Sequence, residues 1–311
     1  MQFSVLRYFL ETARLGSIRR AAEVLHVAPS AVSRQIGLLE QRFGAALFDR
    51  HADGVRLTPA GQLFAEQARS TTHDFARLQS AIDDLQQLRR GLVRVATVEA
   101  TAPGLLFKAV AAFRKMYPGI EYDIKVLGSV KALLAVASED CDLGLVFEPA
   151  AHADVVEDSS FVDPVVAVVP TDHPLARRRS LSIRELATYR LAMLDETHVT
   201  NSMVASAFAR EGVKPLVDVT LSHVGLIAVY ARQGLGPTIL PRLLISEDVE
   251  AGRVSAVAID DPLFQRTRFV LCRHRTRPPT LPAQAFLAAL REQFSRFNSA
   301  SKPKAPQKHR K

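Results

Sequence analysis

Gly16-Ser17-Ile18-Arg19-Arg20-Ala21-Ala22-Glu23-Val24-Leu25-His26-Val27-Ala28-Pro29-Ser30-Ala31-Val32-Ser33-Arg34-Gln35-Ile36 is the stretch on which the reading of this chain turns. Gly16 closes an apolar stripe, Leu6, Phe9, Leu10 and Ala13, whose i, i+3, i+4, i+7 spacing is that of an amphipathic helix. Ser17 offers a side-chain oxygen to the first N–H groups of a second helix with the stripe Ile18, Ala21, Ala22 and Leu25. Pro29 then stands where a first helical residue has no N–H partner to lose. The third helix is predicted to bury Val32, Ile36, Leu39 and Phe43 and to stop at Gly44. Two short helices across a three-residue turn make a helix-turn-helix, whose second helix fits a major groove. Pro29, Ser30, Ser33, Arg34 and Gln35, at the start of that helix, are the candidate DNA contacts, since small donors and one Arg suit phosphates and base edges.

Working outward, Leu47-Phe48-Asp49-Arg50 and Gly54-Val55-Arg56-Leu57 flank an Asp-Gly turn signal. They predict a small β-wing with Arg50 and Arg56 placed to touch backbone phosphates. Thr58-Pro59 opens a helix with no breaker until about Arg90, a length of roughly 48 Å at ~1.5 Å per residue. Along it Phe64, Ala68, Thr71, Phe75, Leu78, Ile82 and Leu85 alternate spacings of four and three, the seam a coiled-coil partner needs. Phe64, Ala68, Phe75, Leu78, Ile82 and Leu85 are therefore the candidate dimerisation residues. Packing of the stripe on the chain's own C-terminal part is the alternative.

The 311 residues suit two domains, and 48% hydrophobic with 23% charged residues suits folded cores. The net charge of +8 is unevenly spread: 1–90 carry 12 Arg and 9 acids, while 296–311 carry six basic residues and no acid. The Lys- and Pro-rich tail, 299–311, is expected to be disordered, with nonspecific phosphate attraction at most. Two cysteines, Cys141 and Cys272, exclude a disulfide framework, and no Cys-x-x-Cys or His-x-x-x-His spacing suggests a metal. No signal peptide and no membrane span is read, so the expected location is cytoplasmic.

Taken together, Leu6-Arg7-Tyr8-Phe9, Gly16-Ser17, Ala21-Ala22-Glu23, Leu25-His26-Val27, Ser33-Arg34-Gln35-Ile36, Leu39-Glu40, Leu47-Phe48-Asp49-Arg50 and Val55-Arg56-Leu57-Thr58 with Ala60-Gly61 resemble the LysR-type transcriptional regulators. The resemblance implies an α-helical winged helix-turn-helix domain (1–58), a linker and dimerisation helix (59–90), and an α/β two-lobed effector domain of periplasmic-binding-protein type (91–298). Its lobes would be 92–163 with 269–298, and 164–268. It also implies homodimers assembling to homotetramers on double-stranded DNA at inverted-repeat promoter sites. There are departures: Ala28-Pro29-Ser30 stands where the family often has Ser-Gln-Pro, and Gly37 where a longer side chain is common. Both leave the target sequence unreadable by analogy.

Read from its own pattern, the C-terminal two-thirds alternates strand-like runs (Val93–Val98, Tyr122–Val126, Leu143–Phe147, Val165–Val169) with helical stripes, which argues an α/β fold with mainly parallel sheet. Ligands in such folds bind beyond the carboxyl ends of strands. The resemblance carries the pocket to Thr101, Ser129, Thr200, His223 and Thr238. Glu99, Glu148 and His198 also follow strand ends, and two acids in one cleft predict an effector bearing an amine or several hydroxyls. No cofactor is implied. An enzyme is not expected, because Ser129 lies outside a Gly-x-Ser-x-Gly elbow and Gly234-x-Gly236 lacks the context of a dinucleotide site. Cys272 is a redox-sensing candidate only if exposed. The competing reading is a cytoplasmic small-ligand-binding protein with only nonspecific DNA affinity.

Overall fold

The apolar stripes and breakers of the first 60 residues become three helices, α1 (Phe3–Leu15), α2 (Ile18–Leu25) and α3 (Pro29–Phe43). The computed structural model describes residues 3–51, 54–84 and 90–300. It divides into two units, 1–82 with 138–140 and the remainder. In the first, Gly16 turns at φ 62°, and the Ser17 side chain accepts from the N–H of Arg20. His26 takes the left-handed conformation at φ 53° to end α2, and Pro29 opens α3. Phe9, Val32, Ile36 and Leu39 share one core. Phe43, expected inside, is 54% exposed, its ring set edge-on against Phe64 at 5.3 Å. It lies in the last turn of α3, just before Gly44 turns the chain at φ 64°.

A two-stranded antiparallel wing follows, β1 (Phe48–His51) and β2 (Gly54–Leu57). The Val55 N–H donates to the Gly16 carbonyl at 2.9 Å, so the wing lies directly on the α1–α2 turn. Gly54 is required there: at φ 141°, an added Cβ would sit 2.3 Å from the Gly16 carbonyl oxygen. Thr58 caps α4 (Pro59–Asp84), its hydroxyl accepting from the Gly61 N–H at 2.9 Å and donating to the Ala46 carbonyl at 2.7 Å. The continuation of the helix from 85 to 89, including Leu85 of the predicted seam, and the tail from 301 lie outside the described residues.

The second unit has two lobes. Lobe I is built from β3 (Gly91–Thr97), α5 (Phe107–Met116), β4 (Ile120–Val126), α6 (Ser129–Ala137), β5 (Leu143–Phe147) and β6 (Val155–Val162). The chain then crosses into lobe II. It forms β7 (Val165–Pro170), β8 (Ser180–Leu181), α7 (Ile183–Leu186), β9 (Arg190–Leu194), α8 (Val199–Arg210), β10 (Leu216–Leu221), α9 (Val224–Arg232), β11 (Thr238–Pro241), α10 (Ser246–Glu250), β12 (Val254–Ile259) and α11 (Pro262–Gln265). It returns as β13 (Arg268–His274) and α12 (Leu281–Ala300).

The lobe I sheet runs β4-β3-β5-β13-β6 and the lobe II sheet β10-β9-β11-β7-β12-β8. Both are mixed: two of the four strand pairs are parallel in lobe I and three of the five in lobe II, so the parallel direction expected from sequence holds for five of the nine pairs. β13 is antiparallel to both β5 and β6, and β7 to both β11 and β12. These strands start where the chain enters a lobe from the other one, so they run against their neighbours. One apolar cluster continues across the crossovers through Phe147, Phe161, Val165, Phe264 and Phe269. The lobes therefore meet over a dry base, and polar groups gather where the carboxyl ends of strands face each other.

Candidate functional site

On the N-terminal unit, Pro29, Ser30 and Arg34 are exposed and Ser33 and Gln35 half-buried, with Ser30 and Arg34 on the side of α3 away from Val32 and Ile36. Arg34 has no carboxylate partner among the described residues, so its guanidinium is available to a nucleic acid. Sequence reasoning missed Glu40. Its carboxylate accepts from the N–H groups of Leu47 at 2.9 Å and Phe48 at 3.1 Å, tying the start of the wing to the far end of α3. The two wing arginines are not equivalent. Asp49 pairs with Arg56 and Arg50 with Val55, and alternate residues of a strand face opposite sides. Arg50 and Arg56 thus project from opposite faces of the ribbon, both exposed.

The predicted seam on α4 is divided. Phe64 packs against Phe9 with ring centroids 4.7 Å apart, and Ala68 is buried. Phe75 and Leu78 are 48% and 57% exposed.

Between the lobes lies a cavity of about 580 Å³, within the range that small-molecule sites occupy. Of the predicted residues it brings together Glu99, Ser129, His198, Thr200 and His223. Ser129, at the start of α6, accepts from the Phe147 N–H at 3.2 Å and leaves its hydroxyl proton for a ligand. His198 Nε2 lies 2.9 Å from the Ser222 carbonyl oxygen. Thr200 lies in the first turn of α8, only 6% exposed, and its hydroxyl has no hydrogen-bond partner among the described residues. The helix begins at Val199 with His198 as its cap. Just outside, the Thr197 hydroxyl holds the Asp195 carboxyl below the usual carboxylate range, helped by the Thr197 N–H, His198 and His223.

Three predicted residues do not reach the cavity. Thr101 is fully buried beneath it, with its hydroxyl 2.6 Å from that of Thr97 and donating to the Val98 carbonyl at 3.0 Å. Thr238 is fully buried as well, and its hydroxyl fastens β11 to β9 through the Ala192 carbonyl at 2.9 Å. Glu148, held at φ 43°, turns its carboxylate to the Arg268 N–H at the return crossover, while its own N–H donates to the Arg268 carbonyl at 3.0 Å. Thr101 and Glu148 follow strand ends and Thr238 opens β11, and each side chain is taken up by a hydrogen bond to the chain itself. Lys131, Phe147, Ser222 and Phe269, unmarked by sequence reasoning, are also part of the lining.

Glu99 lines the cavity, yet its charge is engaged. Its two carboxylate oxygens accept from the N–H groups of Val224 at 3.1 Å and Gly225 at 2.8 Å, at the N-terminus of α9 in the opposite lobe. With Glu148 turned away and Glu99 occupied, the pair of free acids that favoured an amine does not exist. Cys272 is 1% exposed, and burial, with Glu157 nearby, pushes its thiol up to about 12, which opposes a sensing role. Among the described residues no cluster fit for a metal ion occurs, and no helix is long and apolar enough to cross a membrane.

A winged helix-turn-helix with an exposed basic face, in one chain with a two-lobed domain enclosing a small cavity, defines a DNA-binding protein with a sensor domain. The comparisons specify which. Residues 3–62 match the bacterial regulatory helix-turn-helix of the lysR family, and residues 86–295 the LysR substrate binding domain. This chain belongs to the LysR family of transcriptional regulators. It is 30% identical over 269 residues to the transcriptional dual regulator GltC of Bacillus subtilis, covering 86% of this chain and 89% of that one. It is 26% identical to the transcriptional activator CmpR of Synechocystis, with 92% of each covered. In fold it matches a full-length OxyR variant from Pseudomonas aeruginosa, with a TM-score of 0.71 at 22% identity over 99% of this chain and 98% of that one. Full-length CbnR in complex with its target DNA also matches, with a TM-score of 0.62 at 18% identity over 96% and 100%. The chain is a DNA-binding transcriptional regulator with an effector-binding domain, not an enzyme.

Proposed function

We propose that α3 reads the major groove of an inverted-repeat operator through Ser30, Ser33, Arg34 and Gln35. Pro29 sets the entry of the helix, while Arg50 and Arg56 hold the flanking phosphates. The unpaired guanidinium of Arg34 beside two small hydroxyl residues carries this reading, because Arg is the commonest side chain to make bidentate contacts with guanine. Two copies join through the exposed part of α4, with Phe75 and Leu78 in the seam, and dimers pair into tetramers on adjacent half-sites. The effector is a small hydrogen-bonding molecule held in the interlobe cavity by Ser129, Thr200, His198 and His223. It acts by binding one arrangement of the lobes more tightly than another.

The test is capture of sheared genomic DNA by the full chain and by Arg34→Ala at two salt concentrations. Fragments sharing an inverted repeat, kept by the wild type at the higher salt and lost in the variant, are expected. Uniform capture that vanishes with salt in both proteins favours the competing reading of nonspecific affinity and refutes the assignment of α3.

A further inference from the structure

The Glu99 carboxylate sits where a ligand would. The first N–H groups of a helix have no partner within it and carry the positive end of its dipole, which makes them an anion site. The N-cap of α9, His223, makes no side-chain cap. The capping is done from the other lobe, by both oxygens of one carboxylate at 3.1 and 2.8 Å. Gly225 is shaped for this: a Cβ there would lie 2.8 Å from Glu99 Oε1, so the approach needs a residue without a side chain. The same cavity is lined by Thr200, a residue 6% exposed whose hydroxyl lacks a partner among the described residues.

We propose that the N-terminus of α9 is a carboxylate site of the cleft, and that Glu99 is its built-in ligand, latching lobe I to lobe II. A free carboxylate and Glu99 are alternative occupants of one site. This deepens the reading of the cleft as the effector site, and rests on it, by naming the ligand class. A carboxylate-bearing effector takes the two N–H groups from Glu99, uses Thr200 and Ser129 for its remaining polar groups, and releases lobe I. The exchange is demanding, because a tethered carboxylate has a high local concentration. Selectivity follows: an anion with no further groups to hydrogen-bond does not displace Glu99.

Chemical rescue of the full chain tests the site without DNA or effector. Glu99→Ala removes the side chain beyond Cβ, and acetate supplies a carboxylate of matching size. Thermal unfolding of Glu99→Ala is expected below wild type. It should rise by about 3 °C once acetate reaches roughly ten times its Kd, compared with chloride at equal ionic strength. Wild type, whose site is filled, and Gly225→Ala, whose site is obstructed, should not respond. Absence of an acetate-specific rise in Glu99→Ala, or an equal rise in all three proteins, overturns the proposal. Should Glu99→Ala fail to fold, Glu99→Gln with hydrogen exchange at Val224 and Gly225 decides. Exchange at those two amides at least about tenfold faster than in wild type supports the latch, and unchanged exchange refutes it. Failure here leaves the DNA-binding assignment standing, and failure of operator capture leaves the carboxylate site standing.

Discussion

Asp163→Asn probes the crossover that joins the lobes. Asp163 lies between β6 and β7, 8% exposed, and its carboxylate accepts from the Leu243 N–H at 3.0 Å. Its backbone exchanges hydrogen bonds with Thr267 on the return crossover, so both passages of the chain meet at this residue. Burial pushes the carboxyl up to about 7, against the Leu243 N–H and the charge of Arg242, which favour ionisation. A solvated aspartate ionises near pH 4. With the folded value raised above the unfolded one, stability from this group is complete below about pH 4 and falls as pH rises, the loss levelling off above about pH 7. The full swing is on the order of 4 kcal/mol, and about 2.5 kcal/mol of it falls between pH 5 and pH 8. Asn keeps an oxygen to accept from Leu243 and has no charge to bury. Thermal unfolding of both full-length proteins at pH 5, 6, 7 and 8 should therefore show the variant gaining on the wild type as pH rises. For a domain of this size the relative gain is about 5–10 °C. Parallel pH profiles would show that the Asp163 carboxyl ionises in the folded chain as it does in the unfolded one, and would sink the reasoning.

Two further outcomes follow from single positions. Gly37 lies on the outward side of α3 with nothing within 4 Å of an added Cβ, so Gly37→Ala should stabilise the DNA-binding unit by about 1 kcal/mol, read in chemical denaturation; destabilisation would mean that this face is covered. Cys272, with its thiol pushed up to about 12, should resist a disulfide reagent at pH 8 in the native protein and react only on unfolding. Rapid native labelling at Cys272 would contradict its burial.

The N-terminal unit was legible because its determinants are local. Ser17, Pro29, Gly16 and Gly44 each act within a turn of their own position, and the apolar stripes between them have helical period. Phe43 was misread for the complementary reason: the stripe shows which face of α3 turns inward, but not that the core ends one turn before the helix does. In the C-terminal unit the strand β6 passed unnoticed. It is an edge strand whose Glu157-Asp158-Ser159-Ser160 interior carries little of the hydrophobic signal that marks a buried strand. The mixed direction of the sheets was equally hidden, since β13 pairs with residues more than 100 positions earlier.

The acids of the cleft show the limit most sharply, and they tie the fold to the ligand question. From sequence, Glu99 and Glu148 were two equivalent carboxylates at strand ends, and equivalence pointed to a cationic effector. Their partners lie 125 and 120 positions away and are backbone N–H groups, to which no side-chain pattern points. A carboxylate bonded to two N–H groups at a helix N-terminus no longer adds a free negative charge to the cavity; it marks a place where a negative charge is wanted. The same residue that argued for an amine before its partners were known therefore argues for a carboxylate once they are. The inversion needed only two distances, 2.8 and 3.1 Å, and a glycine at 225 that leaves room for them.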